Sequence, residues 1–173
     1  ENMTPEENFR FVSSFNAQLG PIIRSNRGFI NQYLGDSIMA LFPEHPEDAL
    51  NAAIAMQKAI QELNVLRISN GLPAIKAGIG MHTGPLIMGI TGDEDRLDAA
   101  TISDTVNTAA RIESLTKYYQ SPLLLSEETL GFIPARQRFQ FRNLGKVQLK
   151  GKNNLLNIIE CLNGHPAEAF QTK

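Results

Sequence analysis

Hydrophobic positions along the chain alternate between helical and strand periods. Phe9, Val12, Phe15, Leu19 and Ile22 recur at helical spacing after Thr4-Pro5-Glu6-Glu7, where a threonine N-cap, a proline in the first turn and two acids suit the positive end of a helix. The spacing predicts a helix to about Asn26 that buries this stripe. Gly28 ends it, and Phe29 to Leu34 and Ser37 to Phe42 read as two strands joined through Gly35-Asp36, a tight hairpin signal. From Glu47 to about Ile68 a second helix presents Leu50, Ala53, Ile54, Met56, Ile60 and Leu63, and Asn70-Gly71 stops it.

Beyond it, Ile75 to His82 alternates apolar with small or polar residues, then Thr83-Gly84-Pro85 leads into a second apolar run, Leu86 to Ile90. The pair reads as another hairpin. Asp93 to Asp98 is charged and reads as a solvated loop or the approach to a short strand. Ser103 or Asp104 can cap a third helix through Tyr119; Leu123 to Leu125 is a short buried strand, and Ser126 caps one or two more helical turns. Phe139 to Lys150 and Leu155 to Leu162 close the chain as strands around a Gly151 turn, and from Gly164 no pattern remains. Hairpins with helices between them predict an α+β fold, a mainly antiparallel sheet covered by helices on one face.

Composition narrows the function. With 173 residues, 42% hydrophobic and 20% charged, the chain fits one globular domain. A formal net charge of -2 gives no basic surplus, which disfavours nucleic acid and anionic membranes as partners. One cysteine, Cys161, excludes an intrachain disulfide and points to a cytoplasmic setting, and three scattered histidines offer no zinc-ligand spacing. No apolar run reaches the ~20 residues of a membrane span. The opening has neither an initiator Met nor a signal peptide and starts almost on a helix cap, which reads as part of a longer protein.

Four stretches can carry chemistry. Asp36 sits at a hairpin, where aspartate is usually a turn residue. A carboxylate at the mouth of the apolar run Ile38 to Phe42, however, is costly without a cation or donor nearby, and a divalent metal fits. In SDTVNTAARIE, Asn107 and Arg111 are four apart and share a helix face, a pairing that suits an anion, although a surface arginine is the ordinary reading. Lys146, Lys150 and Lys152 flank a glycine turn and can hold phosphates as point charges. The glycine-rich GMHTGPLIMGITG is no Walker A sequence, and His82 reads as structural.

Together, GFINQYLGDSIMALF, GIGMHTGPLIMGITG, TISDTVNTAARIESLT and LGKVQLKGK resemble, in order and spacing from about residue 3 to 163, the catalytic domain of class III adenylate and guanylate cyclases. The resemblance implies a ferredoxin-like βαββαβ-type cyclase fold over residues 1–163, a C-terminal tail over 164–173, and a head-to-tail homodimer with two sites across its interface. Carried over by position, Asp36 matches one of two metal-binding aspartates, Asn107 the asparagine that orients the ribose, Arg111 the arginine that stabilises the pentavalent phosphate, and Lys150 the lysine that holds the terminal phosphates. In the family the metal aspartates come from one subunit and the other three largely from its partner. Two Mg²⁺ or Mn²⁺ ions, roughly 3.5 to 4 Å apart, would then activate the ribose 3′-hydroxyl and neutralise the α-phosphate while pyrophosphate departs.

This chain departs from the family pattern in two places. The family's first strand, with its Asp-Ile-x-Gly-Phe-Thr segment and first metal aspartate, is absent from this sequence. The piece alone is therefore expected to bind metal poorly, to expose a sheet edge and to show little or no cyclase activity. At the purine-reading positions Gln32 replaces the usual lysine or glutamate and Ala100 the usual aspartate, threonine or cysteine. Gln32 can meet either purine edge, Ala100 offers nothing, and neighbouring Thr101 substitutes only if the register slips by one, which turns it to the other face. Base choice stays open. The resemblance implies conversion of ATP to cyclic AMP and pyrophosphate in cyclic nucleotide signalling, with regulatory domains in the parent chain. The alternatives are a guanylate cyclase acting on GTP and a silent cyclase-homology domain for dimerisation or regulation. An RNA-binding ferredoxin-like domain is disfavoured, because no strand interleaves aromatic and basic residues.

Overall fold

A computed structural model of the chain describes residues 3–92, 97–102, 104–151 and 153–166. In chain order the elements are α1 (Pro5–Ser25), β1 (Phe29–Leu34), β2 (Ser37–Leu41), α2 (Pro46–Ser69), β3 (Ile79–Met81), β4 (Ile87–Gly92), β5 (Leu97–Ile102), α3 (Asp104–Tyr119), β6 (Leu123–Ser126), α4 (Glu127–Gly131), β7 (Phe141–Gln148) and β8 (Leu155–Cys161). The architecture is α+β, and the chain divides into two compact units, Glu1–Ile75 and Lys76–Lys173.

In the first unit α1 begins on a capping box. The Glu7 N–H donates to Thr4 Oγ1 at 3.2 Å, and the Thr4 N–H donates to Glu7 Oε2 at 2.8 Å. Both donors would otherwise be orphans of the first turn. The buried stripe is rotated from the expected one: Phe9 is 73% exposed, whereas Phe11 stacks on Phe15 at 5.9 Å and lies under the Arg67 guanidinium of α2. Steps of four through Phe11, Phe15, Leu19 and Ile23 select the face that meets α2, and Leu19 and Ile23 are buried there. At the far end of α1, Arg27 holds the buried Asp48 in the first turn of α2 with both Nε and Nη2, the former at 2.9 Å. The guanidinium keeps the Asp48 carboxyl below its ordinary range.

The expected hairpin forms. β1 and β2 are antiparallel, Leu34 opposes Ser37, and Gly35-Asp36 makes the two-residue turn. Gly35 has φ +62 and Asp36 is not in the positive region, the pattern of a type II′ turn. A bulge at Asn31 breaks the register between Ile30 and Gln32.

Two expectations fail at the next step. The strand expected from Ile75 contracts to Ile79–Met81, because the Asn64 amide of α2 takes both backbone groups of Ile75: Nδ2 donates to its carbonyl at 2.8 Å, and its N–H donates to Oδ1 at 2.7 Å. The expected hairpin between that strand and Leu86 to Ile90 does not form either. β3 pairs in parallel with β6, and β4 pairs antiparallel with β5, a strand missed in the sequence because Leu97–Ile102 is mostly small and polar residues.

The second unit is built on a four-stranded sheet of order β3-β6-β8-β7, with β4-β5 a separate hairpin. Parallel pairing needs a crossover, and α3, which packs on both β3 and β6, provides it. The approach is so close that a Cβ on Gly80 would lie 2.2 Å from the Glu113 amide nitrogen, so only glycine fits in β3 beneath the helix. All four residues of β6 are buried, as a continuous apolar run in a central strand should be. Ile112 of α3, Leu124 of β6, Leu149 and Ile158 of β8 form the core. At one end of the sheet the fully buried Glu160 accepts from Arg142 Nε at 2.6 Å and pairs with His165 Nε2 at 2.7 Å. Burial alone would push its carboxyl up; His165 and Arg142 outweigh burial and hold it below its ordinary value. Of the expected tail, Gly164 is buried and His165 is tied to this cluster. Residues 167–173 lie outside those described.

Candidate active site

The second unit brings together two of the expected phosphate-handling segments. Helix α3 turns Thr105, Thr108, Ile112 and Thr116 inward. Thr105 Oγ1 donates to the Pro85 carbonyl at 2.6 Å and Thr108 Oγ1 to the Asp104 carbonyl at 2.8 Å, which fixes the rotation of the first turns. With that face buried, Asn107 is exposed and Arg111 half-buried on one flank. The expected cap at Ser103 lies outside the described residues.

The turn after β7 arrives at the same flank. Leu149 is buried against the cluster that holds Ile112, so the next residue, Lys150, emerges into solvent. Gly151 follows at φ +76, in the left-handed region. A Cβ placed on it would lie 3.3 Å from Arg111 Nη2, 3.8 Å from Cζ and 3.9 Å from Nη1. Residues 111 and 151, forty apart in sequence, are therefore neighbours, and the Arg111 guanidinium lies beside the turn that carries the Lys150 ammonium. Two cations so placed suit a polyanion, Arg111 by its planar fork of donors and Lys150 as a point charge. Lys146 is exposed on β7 opposite Asn157, and Lys152 lies outside the described residues. Beside this flank a cavity of ≈ 610 Å³ is lined by, among others, His82, Asp104, Thr108, Glu128, Leu149 and Asn154. His82 Nδ1 is 2.7 Å from Ser126 Oγ, the oxygen that also accepts from the Thr129 N–H to cap α4.

The remaining expected residues belong to other elements. Asp36 is exposed at the β1–β2 turn, and Gln32 is exposed on β1 opposite Met39, just past the bulge, both in the first unit. Ala100 and Thr101 are in β5, paired with Gly89 and Met88. Their side chains lie outside the described residues. Asp36 supplies a hard oxygen donor of the kind Mg²⁺ and Mn²⁺ prefer. Among the described residues, however, no group of three or more His, Cys, Asp or Glu is placed to hold a metal. They do not by themselves build a two-ion centre. No described helix is long and apolar enough to cross a membrane.

Within this α+β unit, the lysine–glycine turn after β7 thus meets an arginine on the crossover helix. The fold superposes on a bacterial light-regulated adenylyl cyclase with a TM-score of 0.85 at 24% identity, over 95% of this chain and 48% of that one. The chain belongs to the adenylate and guanylate cyclase catalytic domain family, whose pattern it matches over residues 1–160. An adenylate cyclase of Anabaena cylindrica is 42% identical over 166 residues, 92% of this chain and 33% of the relative. The guanylyl cyclase Cya2 superposes with a TM-score of 0.77 at 27% identity, over 92% of this chain and 82% of that one. The chain spans a third or less of the curated relatives it matches. Members of this family generally use divalent metal ions.

Gly151 was visible in the sequence only as a turn. Its contact with Arg111 needs the β7–β8 register and the packing of α3, neither of which has a local signal.

Proposed function

We propose that this domain converts ATP to 3′,5′-cyclic AMP and pyrophosphate in cyclic nucleotide signalling. The observation that carries the reading is the meeting of Arg111 with the Lys150–Gly151 turn. In the reaction the ribose 3′-oxygen bonds to the α-phosphorus, the bond from that phosphorus to the oxygen bridging to the β-phosphate breaks, pyrophosphate leaves with that electron pair, and the hydroxyl proton passes to water. Negative charge grows on the α-phosphate oxygens as the fifth bond forms. Arg111 meets that charge with its planar fork of N–H donors, an interaction that strengthens as the charge grows and so lowers the barrier more than it tightens ground-state binding. Lys150 offsets the charge of the terminal phosphates and favours their departure. Asn107, one helical turn before Arg111, holds the ribose by hydrogen bonds so that the 3′-oxygen lies in line. A divalent ion would activate the hydroxyl when bound, and Asp36, supplied by the partner protomer of the head-to-tail homodimer proposed here, is the carboxylate proposed to contribute to holding it.

Three curated relatives between 30% and 42% identical, each named as an adenylate cyclase, support ATP as the substrate. Gln32 and Ala100 favour a second reading, because neither is a residue type that fixes adenine or guanine in the family. On that reading the domain accepts GTP or serves as a silent dimerisation and regulatory module. As in the family, a head-to-tail homodimer is proposed for either reading. Initial rates of the full-length protein with Mn²⁺-ATP and Mn²⁺-GTP separate them. Cyclic AMP formation that disappears in Arg111→Ala is the expected result; an Arg111→Ala variant as active as wild type would remove Arg111 from the mechanism.

A further inference from the structure

The Lys150–Gly151 turn holds more than a lysine. Arg111 is half-buried on the flank of α3, and three atoms of its guanidinium lie within 4 Å of where a Gly151 side chain would begin. Since Nη2, Cζ and Nη1 are at similar distances, 3.3, 3.8 and 3.9 Å, the group packs alongside the turn rather than meeting it end-on. Two separate constraints therefore fall on residue 151. Its φ of +76 disfavours any side chain, and its neighbour is the end of a flexible arginine. A methyl group there would displace the arginine before it disturbed the core.

We infer that Gly151 is a positioning residue for Arg111: the space left by its missing side chain lets the guanidinium lie against the Lys150–Gly151 turn and so sets where its donors point. The inference rests on the reading of Arg111 as the cation that meets charge on the α-phosphate. A displacement of a few tenths of an ångström leaves the charge in place and spoils its aim, so the loss falls on the chemical step rather than on nucleotide binding. Gly145 gives an internal control. It lies in β7 with φ +93, and a Cβ there meets nothing within 4 Å, so alanine at 145 adds backbone strain without touching Arg111.

The test uses the full-length protein with Gly151→Ala, Gly145→Ala, Arg111→Ala and the double variant Gly151→Ala/Arg111→Ala. Two readouts are taken: the Arg111 Nε–Hε resonance in a nitrogen-edited NMR spectrum, assigned by its loss in Arg111→Ala, and kcat and KM for Mn²⁺-ATP. Gly151→Ala is expected to shift the Arg111 resonance and lower kcat by about ten-fold with KM little changed. Gly145→Ala should do neither, and the double variant should be no worse than Arg111→Ala alone. An Arg111 resonance unmoved in Gly151→Ala, or an equal kcat loss in Gly145→Ala, overturns the inference. If the resonance moves while Arg111→Ala keeps full activity, the positioning contact stands and the proposed role of Arg111 falls instead. Should Gly151→Ala fail to fold, Gly151→Asn tolerates the left-handed backbone yet still carries a Cβ, and it must shift the same resonance.

Discussion

The two ends of the expected chemistry are built differently. Arg111 and Lys150 stand on a four-stranded sheet and its crossover helix, with Ile112 and Leu149, the residues next to them, buried in one core. Asp36 stands on a two-stranded hairpin, exposed at a turn whose flanking Tyr33 and Leu34 are about half exposed. An isolated two-stranded hairpin is marginal by itself. The anion-handling side is therefore anchored next to a packed core, whereas the carboxylate stands at the exposed end of a hairpin whose main other contacts are with α1. Precise aim matters for the group that meets developing charge, which is where the fold places its packing.

Predictions that test this contrast run from large to small. In activity, Arg111→Ala should lower kcat by about 10²–10³-fold, the loss seen when one fixed donor to a developing anion is removed, with the melting temperature unchanged. In stability, Leu124→Ala in the buried β6 should cost about 2–5 kcal/mol, measured by urea unfolding, and Tyr33→Ala on the hairpin no more than about 0.5 kcal/mol. Similar losses at both positions would erase the contrast. Arg142→Ala leaves the fully buried Glu160 without its guanidinium and should cost roughly 3 kcal/mol.

Acid should find the same difference. Glu160 and Asp48 are both held below their ordinary values, 4.5 and 3.8. Their contributions are complete above those values and are lost as pH falls through the lower folded-state ones. Arg142→Ala should raise the midpoint of acid unfolding, and Leu34→Ala on the hairpin, which removes no partner of a buried carboxylate, should leave it close to where it was. The smallest effect concerns Cys161, whose thiol burial pushes up to about 11. It should resist alkylation in the folded protein at neutral pH and react only on unfolding.

Local signals made much of the chain legible. The Thr4 cap, the Gly35-Asp36 turn, the Ser126 cap and the long helical periods appear close to where the sequence put them, because each depends on neighbours a few residues away. The collinear motifs also reached the family, since Asn107 and Arg111 share a helix face by spacing alone. Where the sequence misled, distant groups decided. Asn64 captured both backbone groups of Ile75 and shortened β3, and α3 drew β3 into parallel pairing with β6. Phe11 rather than Phe9 turned toward α2, because the partner helix, not periodicity, chooses between neighbouring stripes. The cluster of Glu160, Arg142 and His165 had no pattern to announce it. By itself, then, the sequence determined which residues carry charge and which segments are helix or turn. Only the tertiary structure decided that Arg111 lies against Gly151, since that contact joins positions forty apart through a strand register and a helix packing that no short stretch encodes.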